Sequence, residues 1–150
     1  MKAPSFIAVG LALLLHLTTF AQSTSPIAGS VKKVTGDAVV RRGTDTIPVK
    51  EGLHILPHDI LETPPGGSLG IILHDGTRVA MGGNTRLEID TYLYDPGLGH
   101  LGLLLRMVRG VMVYVSGKMS QLSPGSTKVE TPVGVVGLRG TEFAISLEGH

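Results

Sequence analysis

Along residues 68–90 apolar and polar positions alternate with a period of two. Leu69, Ile71 and Leu73 fall on one face, and across Asp75-Gly76 the positions Thr77, Val79 and Met81 alternate in the same way. Successive side chains of a strand point to opposite faces, so the spacing predicts a hairpin with one face in the core. Asp-Gly is the preferred dipeptide for a type I′ turn and predicts one here. After Gly82-Gly83-Asn84, Leu87 and Ile89 alternate with Arg86, Glu88 and Asp90, predicting a strand with its charged face in water. Earlier in the chain Val31 and Val34, the turn Thr35-Gly36-Asp37 and then Ala38-Val39-Val40 read as a second hairpin. Pro48, which cannot donate to a ladder, belongs at an edge or a strand start.

Residues 101–108 fit either a helix or a strand by their apolar run. They flow into Arg109-Gly110 and the alternating Val111, Val113 and Val115, whose branching at Cβ predicts strand throughout. Residues 116–127, with Pro124-Gly125, read as a polar loop. The closing stretch, residues 129–147, is valine-rich and punctuated by Pro132, Gly134, Gly137 and Gly140, which predicts short, largely buried strands separated by bends. Turn signals recur every ~8–12 residues, the spacing of all-β folds rather than of crossover units. The expected fold is therefore all-β: a sandwich, or a solenoid-like roll of short antiparallel strands and glycine-rich hairpins.

The N-terminus departs from this pattern. Lys2 precedes an apolar run over residues 6–17, and Thr19 and Ala21 are small, so residues 1–21 are expected to be a signal peptide cleaved after Ala21. The apolar run is shorter than the ~20 residues of a spanning helix. Residues 22–28 read as a linker and residues 29–150 as one domain, periplasmic or secreted. No cysteine occurs in the 150 residues, which removes disulfides, thiolate catalysis and cysteine-based metal centres. Outside residues 1–21 basic and acidic side chains balance, so there is no electrostatic footprint for nucleic acid.

The order of several short elements resembles the FecR domain family, the periplasmic domain of ferric-citrate-type sensors. They are Gly36-Asp37-Ala38-Val39-Val40, Gly52-Leu53 with Asp59-Ile60-Leu61-Glu62-Thr63, the stretch from Leu69 to Thr77, Arg109-Gly110-Val111, and finally Thr131-Pro132 with Leu138-Arg139-Gly140-Thr141-Glu142-Phe143. The last element is the most specific, and the resemblance spans residues 29–147. It implies a non-enzymatic module that receives a signal by protein contact in the cell envelope. The relatives' cytoplasmic anti-sigma segment and membrane span have no counterpart before Gly29, so anti-sigma activity is not expected here.

The candidate chemistry is thin. His54 and His58 are spaced four apart beside Pro57, a helical spacing in a stretch that reads as strand, so no metal site is expected. Asp59, Asp75, Glu88 and Asp90 offer no convincing acid/base pair, and Ser116 and Ser123 lack a nucleophile-elbow setting. No catalytic residue and no cofactor is expected. Arg139, alone in an apolar run, reads as a structural corner with Gly140 and Thr141, completing a motif with Thr131, Pro132 and Phe143. Partner binding is expected at an open edge formed by Phe143, Ala144, Ile145, Ser146 and Leu147. A cell-wall glycan module is the alternative, and Tyr92 and Tyr94 are the aromatics that would stack on sugars.

Overall fold

The computed structural model describes residues 26–139 and 142–148. The predicted signal peptide, residues 22–25 of the linker, Gly140, Thr141 and His150 lie outside the described residues. Twelve strands and one short helix follow in order. They are β1 (Gly29–Thr35), β2 (Val39–Arg42), β3 (Asp45–Pro48), β4 (His54–Ile55), β5 (Ile60–Glu62), β6 (Ser68–Leu73), β7 (Arg78–Met81), β8 (Arg86–Asp95), β9 (His100–Val115), α1 (Lys118–Leu122), β10 (Thr127–Thr131), β11 (Gly134–Gly137) and β12 (Glu142–Leu147). The fold is all-β, as the alternation predicts, and residues 101–108 are strand.

β9 is the spine. Its first half pairs antiparallel with β8 and parallel with β10, and its second half pairs antiparallel with β7 and with β12. Since the same β9 residues carry both partners, β10 and β12 lie along one edge of the spine and β7 and β8 along the other. Two sheets meet at β9: a first sheet in the order β4-β1-β6-β7-β9-β12, and a second in the order β3-β2-β5-β8-β9-β10-β11. They curl around one core that takes Leu69, Ile71, Val79 and Met112 from the first sheet and Val40, Leu61, Leu87 and Leu105 from the second. Ala28, the last residue of the expected linker, is already buried and its amide donates to the Ile55 carbonyl.

A bulge lets β9 serve both sheets. Leu87 faces Met107 and Arg86 faces Arg109, leaving Val108 without an opposite residue. One extra residue swaps every following side chain to the other face. Leu103, Leu105 and Met107 are therefore buried before it and Met112 and Tyr114 after it, while the alternating Val111, Val113 and Val115 mark the outer face. Thr85 locks the crossing: its hydroxyl accepts from the Val111 amide at 3.0 Å and donates to the Val111 carbonyl at 3.2 Å. Gly110, at φ +99°, leaves the space that Thr85 occupies.

Three local expectations change. Asp75-Gly76 does not form a type I′ turn, because that turn needs positive φ at both residues and only Gly76 has it. The Gly76 amide donates to Leu73 O at 2.9 Å and Leu73 N to Thr77 O at 2.8 Å, which makes a three-residue loop ending in a left-handed glycine. The expected loop of residues 116–127 contains α1, tied down by the buried Met119. Residues 129–147 are not largely buried either. Val129 is, but all four residues of β11 are exposed, so β10 and β11 form an apolar arm. Val129→Ala is accordingly expected to cost about 2 kcal/mol in urea unfolding. Val135→Ala should stay within about 0.5 kcal/mol.

Candidate interaction surface

The outer face of the second sheet carries a set of ion pairs. Glu62 on β5 takes Arg41 Nε at 3.0 Å and also pairs with Arg86. Arg106 on β9 donates to Glu130 at 2.8 Å and lies 2.9 Å from Asp90 and 3.7 Å from Glu88. The hydrogen bond to Glu130, and then the charge of Asp90, raise the Arg106 guanidinium above its usual range. At the margin of this sheet the fully buried Asp59 receives Arg42 in a two-pronged contact, Nε at 2.8 Å and Nη2 at 2.7 Å, and also accepts the Leu56 amide. Arg42 is likewise raised, chiefly by its hydrogen bond to Asp59.

The outer face of the first sheet is built differently. Cross-strand register aligns Ser30, Ile72, Arg78, Val115 and Glu142 in one row and Lys33, Gly70, Ala80, Val113 and Ala144 in the next. Between larger flanking side chains, the small Gly70 and Ala80 leave an apolar groove of about 490 Å³ that runs from Lys32 to Glu142. Lys32, Lys33 and Arg78 have no ion-pair partner among the described residues. This groove was not legible in the sequence, because its residues come from five strands. Only the alternation of Val111, Val113 and Val115 hinted that an apolar outer face exists.

β12 borders this face. It pairs with β9 and with no other strand among the described residues. Phe143, Ile145 and Leu147 turn inward and pack on the core, with the Phe143 ring stacked on Tyr114 at 4.9 Å. Glu142, Ala144 and Ser146 turn outward and are exposed. The five residues expected at the edge therefore divide: Ala144 and Ser146 point to solvent, while Phe143, Ile145 and Leu147 anchor the strand. The β10–β11 arm is the other exposed margin, with Val133 87%, Val135 62% and Val136 42% exposed. Thr131 closes its tip, accepting from Val133 N at 3.3 Å and donating to Gly134 O at 2.9 Å. Pro132 sits exposed in that tip. Arg139 is exposed just beyond the buried Leu138 and has no polar partner among the described residues.

The remaining candidates are dispersed. Asp75 is 1% exposed and holds three elements together: its carboxylate accepts from Thr77 N at 3.1 Å, Thr77 Oγ1 at 2.8 Å and Met119 N at 3.2 Å, and Tyr92 Oη lies 3.3 Å away. Asp59, Glu88 and Asp90 are engaged with arginines. His54, His58, His74 and His100 are exposed, and among the described residues no three His, Asp or Glu side chains gather as metal ligands. Ser123 ends α1. Tyr92 is buried and donates to Asp75, so it offers no ring to a sugar, and Tyr94 is half-buried against the core. Burial, and then the charge of Asp75, push the Tyr92 phenol well above its ordinary value. In the unfolded chain the phenol ionises near pH 10. Folding free energy is therefore fully present below that pH and is lost as pH rises through the higher folded value. Alkaline unfolding monitored by circular dichroism should show this loss, and Tyr92→Phe should flatten it.

Comparison with known proteins bears on these same strands. No curated protein and no solved structure matches the chain. Among the described residues, no helix is long and apolar enough to cross a membrane. The family model described as FecR protein matches residues 59–150. That is more than half of the chain, and it holds the 69–77 hairpin, the Arg109-Gly110-Val111 crossing and the Thr131-to-Phe143 element. The Gly36–Val40 and Gly52-Leu53 pieces of the resemblance precede it. With the spine β9 and its partners β7, β8, β10 and β12 all inside the match, the chain belongs to the FecR family.

Proposed function

We propose that this chain is a non-enzymatic protein-interaction module of the cell envelope, periplasmic or secreted, acting as a receiver or scaffold in envelope signalling. The observation that carries this reading is the contrast between its two faces. On the second sheet Arg41, Arg42, Arg86 and Arg106 are paired with carboxylates, whereas the first presents an apolar groove that ends at β12, a strand whose outer edge pairs with no other among the described residues. Membership in the FecR family supports a signalling role. An unpaired strand edge gives affinity through main-chain hydrogen bonds and specificity through alternate side chains, which here are Glu142, Ala144 and Ser146.

The motif set Thr131, Pro132, Arg139, Gly140, Thr141 and Phe143 is taken as structural. Thr131 closes the arm and Phe143 anchors β12. Arg139 is exposed with no polar partner among the described residues, so its structural role has to be tested directly: a loss of stability in Arg139→Ala, read by urea unfolding, would support it, and an unchanged midpoint would remove Arg139 from the structural set. Partner capture from envelope extracts tests the function. Ala144→Lys with Ser146→Lys adds charge to the open edge without touching the core and should abolish capture. Arg41→Ala on the opposite face should not. Co-sedimentation with purified peptidoglycan that survives Ala144→Lys and Ser146→Lys would replace this reading with the glycan-binding one.

A further inference from the structure

Four arginines of the second sheet, Arg41, Arg42, Arg86 and Arg106, have carboxylate partners. Lys32 and Lys33 on β1 and Arg78 on β7, all exposed on the outer face of the first sheet, have none among the described residues. Between them lies a floor of Gly70, Ile72, Ala80, Val113 and Val115. Apolar side chains left in water beside unneutralised cations mark a surface suited to an amphipathic anion.

The backbone decides what form that occupant takes. β6, β7 and the second half of β9 are hydrogen-bonded on both edges, so the middle of this face has no free amide or carbonyl to offer. An extended peptide lying flat here would leave its own backbone groups unpaired as water is excluded. A helix satisfies them internally. From β1 to β12 the face spans four strand spacings of ~4.8 Å, roughly 19 Å. At 1.5 Å per residue that is about 13 residues, or three to four helical turns.

We infer that the outer face of the first sheet is a docking groove for an amphipathic, acidic helix of a partner protein. Its apolar stripe lies over Ile72, Ala80, Val113 and Val115, and its carboxylates meet Lys32, Lys33 and Arg78. Glu142 at the far end disfavours a carboxylate there, so the acidic residues concentrate over the β1 end. This inference rests on the protein-interaction reading and names the chemistry of the partner.

The test uses purified protein and a synthetic 14-residue helical peptide carrying leucines at three- and four-residue spacing and glutamates beside them. A second peptide has lysine at every glutamate, and phosphatidylglycerol vesicles form a third arm. Titration followed by backbone NMR should move the amide resonances of Gly70, Ile72, Ala80 and Val113. The glutamate peptide should bind at least about tenfold tighter than the lysine peptide, with affinity falling as salt rises. Lys32→Glu with Arg78→Glu should reverse that preference, and Ala80→Arg, which fills the floor from an exposed position, should remove binding. The inference is overturned if the two peptides bind alike, if neither binds, or if the vesicles bind through Arg78 while the peptides do not. It is also overturned if shifts are confined to Ala144 and Ser146. That last result would leave the open-edge module standing while removing the groove, so the two failures can be told apart.

Discussion

Gly110→Ala is expected to destabilise the fold by at least about 3 kcal/mol, a large share of the ~5–15 kcal/mol of a typical domain. Two effects add. At φ +99° a side chain is strained whatever the surroundings, at roughly 1–2 kcal/mol. A Cβ there would also fall on the Oγ1 and Cα of Thr85 and 2.6 Å from its Cβ. Thr85 cannot step aside cheaply. It is fully buried, its amide donates to Thr63 Oγ1 at 3.0 Å, and its hydroxyl holds both backbone groups of Val111. The damage therefore falls at the crossing where β9 passes from one sheet to the other. Urea unfolding monitored by circular dichroism measures it, with Gly102→Ala as the control, since a Cβ at Gly102 meets nothing within 4 Å.

Asp75→Ala is the second large effect, expected at about 3 kcal/mol. The change leaves the Met119 amide and the amide and hydroxyl of Thr77 without this carboxylate acceptor in a buried site. α1 should then detach before the sheets separate. Hydrogen exchange at Met119 is expected to accelerate more than exchange at Leu105. The exposed turn residue Asp37 serves as reference: Asp37→Ala should stay within about 0.5 kcal/mol. Equal losses from Asp37→Ala and Asp75→Ala would mean that the bonds to Thr77 and Met119 contribute nothing net.

Much of the fold was legible because alternation is a local signal. Leu69, Ile71, Leu73, Val79, Met81, Leu87 and Ile89 are all buried, on the faces that period two assigns to them. What escaped depends on partners distant in sequence. The bulge at Val108 is set by Thr85, more than 20 residues earlier, and no count of apolar positions announces a change of phase. Asp75 looked like a turn residue and is one, yet it also binds the amide of Met119, 44 residues away. α1 has a single buried anchor, Met119, too little apolar content to mark a helix. Among the carboxylates, Asp59 alone had no local explanation, and its partner Arg42 emerged only with the pairing of β2 and β5.

The candidate surface follows the same division. A strand at residues 142–147 was legible from its apolar content, and its place at a margin follows from its one pairing among the described residues, to β9. Which residues it offers was not legible, since Phe143, Ile145 and Leu147 look equally available until Tyr114 and the core are placed beneath them. The valines at 133, 135 and 136 misled in the opposite sense. Branching at Cβ favours the strand that forms but says nothing about whether anything covers it.

On the proposed reading the protein works through the outer face of its first sheet and the adjoining edge of β12. Site-specific photocrosslinking in the native host tests it most directly, with a benzoylphenylalanine placed in turn at Ala80, at Ala144 and, on the opposite face, at Arg41. All three positions are exposed, so each probe can be accommodated without repacking the core. A discrete crosslink to another envelope protein is expected from Ala80 and Ala144 and none from Arg41. A crosslink from Arg41 alone, or equal yields from all three, would contradict it.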